Sequence, residues 1–174
     1  MADFNISKRI VPTVEIRRQD DLLVVTFGIT VVAGVGTFAT AQIFNNTTDR
    51  LMRLRSQTVS VAGITEVGWR LTQTDLAAGV VVQSFADTRK ENFSSTLIAK
   101  ANAVAAGAAL AADQMHRTFL QATQPYQLPP GLVEQVVLAP GWGLSVGVLL
   151  ANINGVFSFA YQSETMKPTR IPNG

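Results

Sequence analysis

The stretch that most constrains the fold is Leu128–Glu164, LPPGLVEQVVLAPGWGLSVGVLLANINGVFSFAYQSE. It reads as a strand over Leu132–Leu138, a sharp turn at Ala139-Pro140-Gly141, a strand over Leu144–Leu150, a tight turn, and a last strand over Val156–Gln162. Asn154-Gly155 is a strong hairpin signal, because a type I′ turn needs positive φ at both central residues. Along the last strand Phe157, Phe159 and Tyr161 alternate with Val156, Ser158 and Ala160, so one face is aromatic and the other small. These features predict a half-buried antiparallel hairpin closing a sandwich or barrel, and no reaction centre is visible in them.

Strand signals recur upstream. Leu22–Phe44 is uncharged and long enough to span a bilayer. Its threonines, its Val/Ile content and the break at Gly34-Val35-Gly36 instead predict two buried strands, Leu22–Val32 and Thr37–Phe44, the second with Phe38 and Ile43 inward. Asn45–Asp49 is a polar turn cluster. In Arg50–Val61 the alternation of apolar and polar residues is imperfect, which predicts a bulge near Arg55. Glu66–Thr72 reads as a strand with Val67, Trp69 and Leu71 on one face, Asp75–Gly79 as a connection, and Val80–Phe85 and Phe93–Ile98 as further strands. The alanine-rich block predicts a short helix over Ala103–Met115, interrupted by Gly107; the alternative is a loop feeding a strand Met115–Leu120. Short strands between turns indicate an all-β antiparallel sandwich over residues 21–164, preceded by an arm (1–20) and followed by a tail (165–174). Within the arm Ile6, Ile10, Val11, Val14 and Ile16 are interspersed with charges, the pattern of a segment that orders against a neighbour, with a frayed terminus as the alternative.

Only 15% of the 174 residues are charged, well below the usual quarter, which fits either a surface partly covered in an assembly or a neutral one rich in Thr, Gln and Asn, the first being favoured. The net charge of +2, from 14 basic and 12 acidic residues, is weak support for nucleic-acid binding. With no cysteine there is no disulfide framework, cysteine nucleophile or cysteine metal site. The N-terminus lacks the apolar core of a signal peptide.

No catalytic, cofactor or metal site emerges. The single histidine, His116, has no second histidine to share a metal, and no serine sits in a nucleophile-elbow pattern; it is expected to be exposed or hydrogen-bonded. Asp20-Asp21 and the isolated Asp49, Asp75, Asp87 and Asp113 read as strand-end and turn residues. Gly34-Val35-Gly36 and Gly141-Trp142-Gly143 lack the Lys-Ser/Thr ending of a phosphate loop. Arg50, Arg53, Arg55 and Arg70 could form a basic stripe, with Arg53 and Arg55 on one face if no bulge intervenes, better suited to subunit contacts or a solvated face than to nucleic acid. Trp69 and Trp142 are candidate core or interface anchors, and Tyr126 and Trp142 the candidate exposed aromatics at loop tips.

The order of these segments resembles a diffuse group of small β-sandwich structural proteins of tailed bacteriophages. The likeness rests on FGITVVAGVGTFATAQIFNNTTDRLMRLRSQTVSV, on the strand Glu66–Thr72, and above all on VVLAPGWGLSVGV with GVFSFAYQSE. It spans roughly residues 24–164, and the alanine-rich block and long arm depart from it. The resemblance implies a jelly-roll-like sandwich, no enzymatic activity, no cofactor, and residence in the virion after synthesis in the bacterial cytoplasm. It further implies a capsid decoration (cement) protein, working as a homo-oligomer, trimer favoured, against the major capsid protein or other virion proteins. The alternative is a tail or head-fibre component that binds a host receptor or neighbouring tail proteins. Neither nucleic acid nor membrane is an expected partner. The interface residues expected are Ile6, Ile10, Val11, Val14 and Ile16 in the arm, Arg53 and Arg55 as charged links, and Trp142 at a turn tip.

Overall fold

The computed structural model describes residues 23–48, 50–76, 80–81, 97–104 and 114–165. The whole predicted arm, Asp20-Asp21, Asp49, Asp87, Asp113 and most of the alanine-rich block therefore lie outside the described residues.

In chain order the strands are β1 (Leu23–Val31), β2 (Phe38–Asn45), β3 (Arg50–Val61), β4 (Thr65–Thr72), β5 (Val80–Val81), β6 (Leu97–Val104), β7 (His116–Leu120) and β8 (Tyr126–Gln127). A one-turn helix, α1 (Pro130–Val133), precedes β9 (Val137–Leu138), β10 (Gly143–Val148) and β11 (Gly155–Thr165). They form two antiparallel sheets. Sheet A has the order β1-β11-β3-β8, with β9 also on β3; sheet B has the order β5-β6-β2-β10-β4-β7. With β5 and β6 set aside, and β8 and β9 counted as one position, eight strands remain, and the chain crosses between the sheets at most of its connections. That is the winding of a jelly roll, in which two Greek keys share one core.

The core follows from strand alternation. Phe157, Phe159 and Tyr161 on β11, and Met52, Leu54, Val59 and Val61 on β3, point into the sandwich and are buried. Ala39, Ala41 and Ile43 on β2, Leu144, Val146 and Val148 on β10, and Val67 and Trp69 on β4 do so from the other sheet. β11 contacts β2 across the interior, so the aromatic row lies against a strand carrying two alanines. Burying each large apolar side chain contributes about 1.5–3 kcal/mol. The two sheets are also joined by polar bonds: the indole Nε1–H of Trp69 donates to Gln57 Oε1 at 2.6 Å, and Asn45 Nδ2 donates to Leu138 O at 2.9 Å.

Several local expectations are confirmed and several corrected. Two strands, β1 and β2, stand where two were expected in the uncharged stretch, and β3 is bulged where expected. Ser56 faces Ala160 and Leu54 faces Tyr161, leaving Arg55 as the extra residue. The bulge turns Met52 and Leu54, and then Gln57, Val59 and Val61, toward the core. Ile43 points inward, but alternation puts Phe38 on the opposite face. β6 runs to Val104, so Ala103 starts no helix, and His116–Leu120 is a strand. Within Leu132–Leu138 only Val137–Leu138 is strand, because Pro129-Pro130 starts a helical turn.

The larger correction concerns the closing hairpin. β10 and β11 do not pair: β10 lies between β2 and β4 in sheet B, and β11 between β1 and β3 in sheet A. The connection is a crossover, and the residue with positive φ is Asn152 (65°), not Asn154 or Gly155. Gly155 serves close packing instead, since a Cβ there would lie 2.6 Å from the ring of Phe157. At the other end of the sandwich, Gly141 takes φ +78° in the predicted turn and donates to Asn45 O at 2.8 Å.

Part of the outer face of sheet B is covered, around the middle of β2 and β10. Thr40, Gln42 and Ser145 are buried there. Gln42 acts as a strand-like partner for the connection after β4: its Nε2 donates to Thr74 O (2.8 Å) and its Oε1 accepts from Leu76 N (2.8 Å). This places the predicted connection at Asp75 against the sheet rather than in solvent.

Candidate functional site

Four crossovers lie at one end of the sandwich, one of them residues 121–125 between β7 and β8, where Thr123 N donates to Val61 O at 2.8 Å. The other three are residues 32–37 between β1 and β2, 62–64 between β3 and β4, and 149–154 between β10 and β11. Two asparagines hold them together. Asn154 Oδ1 accepts from Ala33 N (3.0 Å), and its carbonyl accepts from Ala62 N (3.0 Å). Asn152 Oδ1 accepts from Gly36 N (2.7 Å), and its own N–H donates to Thr37 O (3.0 Å). The left-handed backbone of Asn152, a conformation asparagine tolerates better than most residues, aims these groups at the first loop. Thr37 closes that loop on itself, its N–H and hydroxyl both donating to Gly34 O.

With the backbone tied inward, the side chains project outward. Val35 is 98% exposed, Val32 69%, Ile64 55% and Leu150 51%. No charged residue occurs in any of the three loops. Isolated exposed aliphatics are ordinary, but four of them on loops bonded to one another form an apolar tip, the kind of feature that marks a contact surface. The sequence reading treated Gly34-Val35-Gly36 only as a turn. The overlooked signal was an aliphatic residue set between turn glycines, which leaves Val35 98% exposed.

The expected interface residues are dispersed. Ile6, Ile10, Val11, Val14 and Ile16 lie outside the described residues. Arg53 and Arg55 are exposed on the outer side of β3, flanking the inward Leu54. Arg55 donates through Nε to Gln162 Oε1 at 2.8 Å, and its Nη2 reaches the same oxygen. Beside it runs a shallow groove lined by Leu54, Gln127, Pro130, Val133 and Glu134, where β3 is bulged and α1 separates β8 from β9. Arg70 is on β4 in sheet B, so the four arginines do not form one stripe. Trp142 is 38% exposed in the turn before β10, its carbonyl accepting from Asn45 N at 2.9 Å.

The one histidine is a packing residue. His116 Nε2 is hydrogen-bonded to Tyr126 Oη at 2.8 Å, and both rings pack on Trp69, with centroids at 5.1 and 5.6 Å. Tyr126 thus belongs to β8 at the seam between the sheets rather than to a loop tip. Burial lowers the His116 pKa below its usual 6.5. Glu66 and Arg117, neighbours across β4 and β7, form a salt bridge on the outer face of sheet B. Among the described residues no three His, Asp or Glu are placed to hold a metal ion, and no helix is long and apolar enough to cross a membrane.

Comparison with known proteins gives no match to a family model, to a curated protein or to a solved structure.

Proposed function

We propose that this chain is a non-enzymatic structural protein of a virion: a decoration protein that stabilises a phage head as a homo-oligomer, trimer favoured, bound to the major capsid protein. The observation that carries the reading is the uncharged, exposed tip of Val32, Val35, Ile64 and Leu150 on loops pinned by Asn152 and Asn154. Jelly rolls also serve as lectins and cupins, so the fold alone does not decide the role. Here the space between the sheets is filled by Trp69, Phe157 and Phe159, each fully buried, which suits a building block better than a ligand container. A charged content of 15% fits a surface largely covered by neighbours.

The mechanism is physical. Symmetry repeats each modest contact around the shell, and linked contacts reinforce one another through effective concentration. In this reading the apolar residues of the arm, Ile6, Ile10, Val11, Val14 and Ile16, tie the subunit to an adjacent capsomer, with Arg53 and Arg55 as charged links. The test is to add full-length protein to phage heads assembled without it. Saturable binding and DNA retention to a higher temperature are expected; absence of binding overturns the proposal. Deleting residues 1–16 is expected to leave a folded protein that no longer attaches, and retained attachment removes the arm from the mechanism.

A second reading, a fibre or tail component that binds a host receptor, is favoured by one feature, the partly exposed Trp142 in a turn fixed through Asn45. Loss of host-cell binding in a Trp142→Ala variant with unchanged head binding would select it.

A further inference from the structure

We propose that the loop tip is a self-complementary contact: the same three loops of further copies of this chain, arranged about a symmetry axis at the tip, cover Val32, Val35, Ile64 and Leu150. The inference rests on the homo-oligomer part of the proposed function and names the surface and the occupant.

Charge decides the occupant. Close to a symmetry axis a residue meets its own copy, so any charged side chain would face an identical charge. An uncharged aliphatic surface is complementary to itself, and residues 32–37, 62–64 and 149–154 contain no Asp, Glu, Lys or Arg. The next charge along the chain, Glu66, is turned to the outer face of sheet B and paired with Arg117. Docking also costs little ordering, because Asn152 and Asn154 already fix the loops in the single subunit. A bilayer is the poorer occupant: these loops lack the Trp and Tyr anchors and the basic residues that accompany interfacial insertion.

The test uses full-length protein and light scattering after size-exclusion chromatography. The unmodified chain is expected to elute as a closed oligomer. Val35→Asp and Leu150→Asp, each placing like charges about the axis, are expected to weaken association at least tenfold while the circular dichroism spectrum stays unchanged. An equimolar mixture of Val35→Asp and Val35→Arg should associate more strongly than either alone, a rescue that damage to folding could not produce. Phe119→Asp, on the exposed outer side of β7, should leave the oligomer intact. A monomeric unmodified chain overturns the proposal, as do Asp variants that keep the oligomer or a Phe119→Asp variant that dissociates equally. Sedimentation of the unmodified chain with phosphatidylcholine vesicles, lost in Val35→Asp, would assign the tip to a bilayer and likewise overturn it. Tip-dependent self-association without binding to heads would remove the decoration role and leave this contact standing.

Discussion

Trp69 and His116 show how single side chains join the two sheets. The indole N–H of Trp69 is fully buried and is satisfied by Gln57 from the opposite sheet. Replacing Gln57 by Leu keeps the volume but leaves that donor without an acceptor, so unfolding free energy should fall by about 1–3 kcal/mol in urea denaturation. His116 packs on the same indole, and burial holds its pKa below 6.5 in the folded state. The unfolded chain therefore takes up the proton first as pH falls. The His116 contribution is fully favourable above about pH 6.5 and is lost as pH drops through the folded-state value. His116→Gln should flatten stability against pH below about 6.5; an unchanged slope would show that the histidine does not set it. The sequence offered the histidine no second histidine or cysteine to share a metal, and it left open what the ring would pack on. That depends on β7 and β8 being brought together from different sheets, a long-range event with no local signature.

Among the elements, β3 was the most legible and the β10–β11 connection the least. Imperfect alternation in RLMRLRSQTVSV was enough to place the bulge at Arg55, because alternation has a period of two and one extra residue must break it. Deleting Arg55 should restore plain alternation, keeping Met52, Leu54, Gln57, Val59 and Val61 inward, and the protein should still fold with a lowered melting temperature. Deleting Ser60 should reverse the end of the strand and cost far more; equal melting temperatures for the two deletions would contradict the assigned register. Asn154-Gly155 misled because its turn chemistry was put to another use. The asparagine side chain bonds to the β1–β2 loop, and the glycine admits the Phe157 ring, so neither needs positive φ. Whether two neighbouring strands pair or part into different sheets is decided by partners far along the chain, here β2 and β4 for one and β1 and β3 for the other. Asn154→Ala removes the acceptor for Ala33 N, and a loss of about 0.5–1.5 kcal/mol is expected, together with faster amide exchange at Ala33.

At the scale of the molecule, the first and last strands pair along their whole length, from Leu23 with Ser163 to Val31 with Gly155. The fold therefore closes only when both ends are present, and it turns four crossovers to one end. The fold class was readable because many short alternating strands with turns between them have few other ways to bury their faces. The tip was not, since the four aliphatic residues that form it come from loops far apart in the chain and are brought together only by the crossovers. The central claim is that this jelly roll is a building block whose apolar tip is covered by copies of itself. Sedimentation velocity of the unmodified full-length chain across a hundredfold dilution series tests it most directly. The account predicts one closed oligomer at the upper concentrations, dissociating on dilution without intermediate aggregates. A species of monomer mass at every concentration would contradict it.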